Sequence, residues 1–142
     1  MNIILYRENG DDMAAHLQMM VEKTCQQENL ELYSELEDLG RRLRQPLDST
    51  ETIAVLVPAD GEQLAHVVSF AELLDTIRII LVLPDQSAAT IAMGHRLRPR
   101  FLSYRKGDCG DVAAVLEKMI RLGIAGQDGK VGFLQRRRSR YR

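Results

Sequence analysis

Two long apolar runs, each followed by a proline, most constrain how this chain can fold. They are Thr52–Val57, before Pro58, and Ile77–Leu83, before Pro84. Both are rich in β-branched residues, as is typical of strands that helices cover on both faces. Between them, apolar residues recur at the spacing of an amphipathic helix that follows Asp60. This strand–helix–strand pattern predicts a parallel sheet with right-handed crossovers.

The same alternation continues along the rest of the chain. Short apolar runs predict further strands at 3–6, 30–33 and 101–104. Helical spacing predicts helices beginning near residues 11, 34, 87 and 110, the last of them ending at Gly123 or Gly126. Ser34 and Glu37 have the spacing of a capping box for the second helix. Five such units predict a doubly wound α/β fold with strand order 2-1-3-4-5 and the alternating second strand at an edge.

Length and composition indicate one domain with a short extension. The 142 residues fit a domain at 1–124 followed by a C-terminal extension at 125–142. The first apolar run meets Arg7 and Glu8 too early for a signal peptide, and no stretch approaches about 18 apolar residues. Cys25 and Cys109 are far apart in the sequence, which favours two reduced thiols. We therefore expect a cytoplasmic protein without a membrane partner.

Polar residues follow the predicted strand ends, where ligands bind in folds of this type. Glu8, Asp11 and Asp12 after the first strand are weak candidates for a Mg²⁺ site, since carboxylate oxygens suit that ion. The alternative is that the aspartates at strand ends only cap helices. The chain has no glycine-rich phosphate loop and no evident nucleophile–base pair. The sequence thus predicts no enzyme activity and no cofactor.

At these strand ends the sequence resembles the receiver domains of two-component response regulators, a CheY-like fold of flavodoxin type. The resemblance covers about residues 2–122. Glu8 matches one of the family's two acidic Mg²⁺ ligands, and Asn9 replaces the other. Lys106 matches the family's lysine after the fifth strand, although Gly107 stands where a proline normally follows.

Two further positions depart from the family's pattern. Val57 stands where the family carries its phospho-accepting aspartate, and Leu83 stands at the position of the family's threonine or serine. The resemblance implies a degenerate pseudo-receiver, a non-enzymatic signalling module that acts through protein contacts without aspartyl phosphorylation. Asp60, three residues beyond Val57, is the alternative acceptor.

Two basic segments are candidates for partner contacts. In receivers the fourth helix, fifth strand and fifth helix form the common output face, which corresponds here to about residues 86–122. The candidate residues on that face are His95, Arg96, Arg98, Arg100, Tyr104 and Arg105. The resemblance implies a protein partner there, and a homodimer is one option.

The second basic segment is the C-terminal tail, which adds five positive charges to a chain of net charge −1 and so leaves residues 1–135 at −6. Its candidate contact residues are Arg136, Arg137, Arg138, Arg140, Tyr141 and Arg142. Arginines can bind nucleic-acid phosphates while the tyrosine stacks on a base. Docking on an acidic protein surface, and a tail that only aids solubility, are the other two interpretations.

Overall fold

The structure is a computed structural model that describes residues 1–10, 12–105 and 110–128, with side chains up to residue 122. Strands and helices alternate along the chain, and one short 3₁₀ helix precedes the third strand. The elements are β1 (Asn2–Arg7), α1 (Asp12–Thr24), β2 (Asn29–Tyr33), α2 (Leu36–Leu43), the 3₁₀ helix (Ser49–Glu51), β3 (Thr52–Val57), α3 (Gly61–Val68), α4 (Ala71–Leu74), β4 (Arg78–Leu83), α5 (Ala88–His95), β5 (Phe101–Tyr104) and α6 (Gly110–Asp128).

The five strands form one parallel sheet in the order β2-β1-β3-β4-β5. This confirms the predicted fold class, strand order and position of β2 at an edge. After β1 the chain builds outwards to β2 and then crosses back to β3 on the other side of β1. The switch in direction between β1 and β3 opens the crevice in which doubly wound folds bind ligands.

The two faces of the sheet bury separate sets of side chains, because alternate residues of each strand point in opposite directions. Odd-numbered residues of β1 and β3 pack against α1 and α6, in a layer that also contains the free thiol of Cys25. Even-numbered residues of the same strands pack against α2, α3 and α4. All six residues of β3 are buried, whereas no residue of β2 is. Within the described residues, no helix is both long and apolar enough to cross a bilayer.

Three local features differ from the sequence-based expectations. The helix after Asp60 is divided into α3 and α4. At the break, the ring of Phe70 packs against Gly40 of α2, so closely that a Cβ on Gly40 would lie 3.0 Å from the ring. The capping-box prediction is wrong: α2 has Glu35 as its N-cap residue, with no side-chain cap. Ser34 instead accepts a hydrogen bond from the Asn9 amide, at 3.3 Å. Helix α6 continues beyond the glycines to Asp128.

Candidate functional site

The centre of the carboxyl edge is apolar where β3 ends. Val57 is fully buried and belongs to the layer beneath α1 and α6. Its register partner on β1 is Arg7, one residue before the predicted pocket residue Glu8. Pro58 and Ala59 then lead to Asp60, which begins α3. The last residue of β3 is therefore an apolar side chain packed in the core, and the first carboxylate after it is that of Asp60.

The two carboxylates beside this strand end are both engaged by one glutamine. The Gln63 side-chain amide donates to the Glu8 carboxylate, and its carbonyl oxygen accepts from the Ala59 main-chain N–H at 2.9 Å. The Gln63 main-chain N–H donates to the Asp60 carboxylate at 2.9 Å. Asp60 is thus the N-cap residue of α3, and Glu8 is tied to the same first turn. Gln63 was not among the residues predicted from the sequence, since its partner Glu8 is 55 residues away in the chain.

Arg7 is a second residue that the sequence analysis missed. Its Nε donates to the side chain of Gln18 on α1 at 2.7 Å, and its Nη1 donates to the Glu8 carbonyl at 2.9 Å. This places a positive charge directly opposite Val57, at a strand end where the resemblance led us to look for acids. A charged residue that ends a buried strand is the signal that would have drawn attention to it. Asn9 stands in place of one of the family's two acids. Its side-chain amide donates to the Ser34 hydroxyl and so joins the end of β1 to the start of α2.

Beneath these groups lies the phenol of Tyr6, which is almost completely buried. Burial and the nearby charges of Glu8, Glu35 and Asp60 raise the pKa of Tyr6 to about 12. The phenol therefore remains protonated at neutral pH, and it is unsuited to act as a base there.

The end of β4 is also apolar and is covered by α5. Leu83 is fully buried, and it packs so tightly on α5 that a Cβ on Gly94 would lie 2.8 Å from its Cδ2 atom. Ser87 caps α5 by accepting from the Thr90 main-chain N–H at 3.2 Å. Asp85 accepts from the Ser87 main-chain N–H at 2.9 Å, a hydrogen bond that lowers the pKa of the Asp85 carboxyl. These polar groups stabilise the start of α5. The last residue of β4 itself, Leu83, carries no hydroxyl.

At β5 a serine hydroxyl contacts the following helix, and the predicted lysine is untested. The buried hydroxyl of Ser103 donates to the Asp111 carboxylate at 2.7 Å, which joins β5 to the start of α6. Lys106 and Asp11 both lie outside the described residues. Asp12 stands in the first turn of α1. In the part of the chain that the structure describes, no three His, Cys, Asp or Glu side chains are grouped closely enough to hold a metal ion.

The predicted partner face falls into two parts. His95, Arg96, Arg98 and Arg100 follow the end of α5 and lead into the start of β5, at the amino edge of the sheet. Tyr104 and Arg105 lie at the carboxyl end of the same strand. Arg105 is five residues beyond Arg100, a distance of about 16 Å at the usual rise per residue.

The amino-edge group projects outwards. Arg98 has a positive φ of 52° and a side chain that is 85% exposed, 3.8 Å from the Asp75 carboxylate. Burial and the positive charge of Arg100 lower the pKa of Arg78 on the neighbouring strand. The six tail residues Arg136, Arg137, Arg138, Arg140, Tyr141 and Arg142 lie outside the described residues.

Comparison with known proteins supports the fold. No family model matches the chain, and no curated protein matches it. Several solved structures do, among them the following two. The receiver domain of the stress response regulator RcsB from Escherichia coli, in its non-phosphorylated form, matches with a TM-score of 0.60 and 14% identity, over 95% of this chain and 98% of that one. A protein of Burkholderia pseudomallei described as related to pilus assembly matches with a TM-score of 0.58 and 18% identity, over 88% and 90%. The chain has a receiver-like fold.

Proposed function

We propose that this chain is a non-enzymatic regulatory module, which uses a receiver scaffold for protein contacts and is not phosphorylated on an aspartate. The observation that carries the proposal is the fully buried Val57 at the end of β3. A phosphoryl acceptor must present a nucleophilic oxygen to its donor, and a buried valine has none. The receiver-like fold supports the coarser part of the proposal, a role in regulation.

The carboxylates that remain at this edge support the same proposal. Glu8 is bound by Gln63, and Asp60 caps α3, so each has a structural task. The guanidinium of Arg7 beside them supplies a positive charge within the protein itself. A Mg²⁺ site formed by Glu8, Asp11 and Asp12 is the alternative that this arrangement disfavours, because a nearby cation opposes the binding of a metal ion.

The segment that contains α5 and β5 is our candidate for the partner contact. Residues 86–107 contain no aspartate or glutamate, although they include Arg96, Arg98, Arg100, Arg105 and Lys106. The rest of the domain is acidic, so the positive charges of this segment, at both ends of β5, suit an acidic partner. Two solved neighbours are described as the receiver domain of a stress response regulator and as related to pilus assembly, and we propose a regulatory role for this chain as well. Nucleic-acid binding by the tail remains a separate prediction.

Exposure to a phosphoryl donor tests the proposal directly. The full chain is incubated with acetyl phosphate and Mg²⁺, and its intact mass is measured by mass spectrometry. In parallel, ¹⁵N spectra are recorded with Mg²⁺ and beryllofluoride, a mimic of aspartyl phosphate. We expect no phosphoryl adduct and no shift of the amides around Glu8, Val57 or Asp60.

The Asp60→Asn variant is the matched control for the displaced acceptor. An adduct on the wild-type chain that is lost in this variant would show that Asp60 accepts the phosphoryl group, and the proposal would be abandoned. Asparagine caps helices as well as aspartate does, so α3 should be retained, and circular dichroism of the variant checks that the domain is folded.

A further inference from the structure

The hydroxyl of Tyr6 is a buried polar group without a partner among the described residues. Tyr6 is 1% exposed and lies in the layer of side chains beneath α2, α3 and α4. In this part of the chain, no group donates a hydrogen bond to the hydroxyl or accepts one from it. Its oxygen is not one of the fully enclosed unpaired atoms, so it reaches the surface. Because buried polar groups are normally hydrogen-bonded, this hydroxyl marks a place for a ligand atom.

Three carboxylates surround the Tyr6 hydroxyl, and each comes from a different connection. Glu8 follows β1, Glu35 is the N-cap residue of α2, and Asp60 is the N-cap residue of α3. Burial and these three negative charges raise the pKa of the phenol, which shows that all three carboxylates act on it. The hydroxyl therefore lies at the base of a crevice between the first turns of α2 and α3.

The three carboxylates keep oxygen atoms that a ligand can use. Within the described residues, none of them has a basic side chain at ion-pair distance. Glu8 and Asp60 each accept one hydrogen bond from Gln63, through one carboxylate oxygen. The Glu35 carboxylate makes no cap hydrogen bond. The second oxygens of Glu8 and Asp60 and both oxygens of Glu35 are thus free of partners in the described chain.

The crevice is negative when the described charged groups on this side of the sheet are all counted. The acids stand at the end of β1 and in the caps and first turns of the two helices: Glu8, Glu35, Glu37, Asp38, Asp60 and Glu62. Arg41 pairs with Asp38, and Arg7 ends β1 but bonds to Gln18 of α1, on the other face. Six acids against two arginines leave a net charge of −4. This outweighs the partial charge of about +0.5 at each helix N-terminus.

A guanidinium group suits this arrangement better than a metal ion does. A metal ion needs several oxygen atoms around one point, and no three acidic, histidine or cysteine side chains in the described residues converge in that way. A guanidinium is planar and directs five N–H groups outwards, so it can bridge carboxylates that lie further apart. The Tyr6 oxygen can accept one of these N–H groups while its own proton is donated to a carboxylate.

The chain itself carries such groups in its C-terminal segment. Five arginines lie within the last seven residues, and no acid follows Asp128. Helix α6 begins after the carboxyl end of β5, and its 19 residues extend about 28 Å back along the sheet. The fourteen residues from Asp128 to Arg142 span at most about 46 Å, which is long enough for the last arginines to return to the carboxyl edge. A ligand on the same chain also has a high effective concentration.

We infer that the crevice over Tyr6 binds an arginine guanidinium of the chain's own C-terminal segment, residues 136–142. The guanidinium donates to the Tyr6 oxygen and to the surrounding carboxylates, and the bound segment covers the carboxyl end of β1. This site is separate from residues 86–107. The inference goes beyond the proposed function, and the two can fail separately, because no step of it depends on phosphoryl chemistry.

The first test compares ¹⁵N spectra of the full chain with those of a glutamine variant. In this variant Arg136, Arg137, Arg138, Arg140 and Arg142 are all changed to glutamine. We expect the amides of residues 6–9, 34–37 and 59–63 to differ between the two chains, because the variant cannot fill the crevice. Identical amide positions in these three segments, or differences confined to other elements, would overturn the inference.

The second test adds the arginines back to the glutamine variant as a capped peptide of residues 135–142. The matched control peptide has citrulline, the uncharged analogue of arginine, at all five positions. We expect the arginine peptide to shift the amides of the same three segments towards their wild-type positions, with binding at least about tenfold tighter than that of the citrulline peptide. Equal affinity of the two peptides would contradict the inference.

Two further substitutions in the glutamine variant test the crevice itself. Tyr6→Phe removes only the hydroxyl, and Tyr104→Phe on β5, three strands away, is its control. Glu35→Gln removes one charge, and Glu117→Gln on the exposed side of α6 is its control. We expect each crevice substitution to weaken binding of the arginine peptide at least about threefold and the controls to leave it unchanged.

Unchanged affinity in both crevice variants would show that the peptide binds elsewhere and would overturn the inference. Urea unfolding shows whether each variant is intact, and the exposed Glu35 keeps the test valid if the Tyr6 variant does not fold. Sedimentation identifies the source of the arginine. We expect the same oligomeric state for the full chain and the glutamine variant, whereas a dimer that only the full chain forms would assign the arginine to a second copy, contrary to the inference.

Discussion

Strands β3 and β2 lie on either side of β1 in the same sheet, but their environments are opposite. Every residue of β3 is buried, and helices cover both of its faces. No residue of β2 is buried, and its Glu31 is held by an ion pair with α2 instead of by apolar packing. The free energy of folding is therefore concentrated at the centre of the sheet. The outer strand contributes less to stability.

The same contrast separates the polar groups. Val57 and Leu83, at the ends of the two central strands, are apolar and fully buried. Around the end of β1, Arg7, Glu8 and Asn9 all bond to residues of neighbouring helices or loops. The central strands therefore end in apolar side chains, and the polar groups of this edge lie beside them, where they join β1 to its neighbours.

The largest expected effect comes from removing core volume at the centre. Leu56→Ala should lower the free energy of unfolding by about 3 kcal/mol, because Leu56 is fully buried and a cavity would remain. Leu32→Ala on β2 is the matched control and should change it by less than about 0.5 kcal/mol. Urea denaturation measures both values. Similar decreases in the free energy of unfolding for the two variants would contradict the contrast between the centre and the edge of the sheet.

Tyr6 on β1 provides the second effect, which appears at high pH. Its pKa of about 12 in the folded protein lies above the value of about 10 for an unfolded chain. The stability that this shift contributes is fully present below pH of about 10 and is lost as the pH rises through the folded value. It amounts to at most about 3 kcal/mol. We expect a late phase in the phenolate absorbance titration that Tyr6→Phe removes, and a phase complete near pH of about 10 would contradict the assignment.

A smaller effect is expected where α5 meets β4. A Cβ at Gly94 would lie 2.8 Å from Leu83 Cδ2 and 3.1 Å from Leu81 Cδ2, so Gly94→Ala overpacks the core. Alanine's better helix propensity offsets part of the cost, and we expect a net loss of about 1 kcal/mol. Gly61→Ala is the control, because nothing lies within 4 Å of the added Cβ. Thermal unfolding of both variants measures the difference. A Gly94→Ala variant more stable than the wild-type chain would show that the contact between Gly94 and Leu83 is loosely packed.

The smallest effect concerns the ion pair on β2. Burial alone would raise the pKa of Glu31, but the hydrogen bonds from Arg42 and Tyr33 and the charge of Arg42 outweigh it and hold the pKa below its usual range. The resulting stability is present above the unfolded pKa of about 4.3 and is lost as the pH falls through the folded pKa. Glu31→Gln should therefore cost up to about 1 kcal/mol at neutral pH and progressively less in acid. A cost independent of pH would indicate lost packing instead.

Particular elements show how far sequence reasoning extends. Strand β3 begins and ends at the predicted residues, because a short, continuous run rich in β-branched residues and bounded by a proline is typical of a buried strand. The capping box at Ser34 failed because Asn9, from a different part of the chain, bonds to its hydroxyl. The helix after Asp60 broke at Phe70, whose ring needs the space that Gly40 leaves on α2. Local patterns predicted the elements, and distant partners changed their ends.

The sequence by itself determined the five strand–helix units and their order across the sheet. Apolar periodicity is a local property, and short right-handed connections leave few ways to arrange such units. Only the tertiary structure decided which polar groups meet at the strand ends. Glu8 and Gln63 are 55 residues apart and come together because the crossover from β1 to β3 places their elements side by side. Such contacts depend on side-chain directions at an edge where parallel strands end, and no local pattern encodes them.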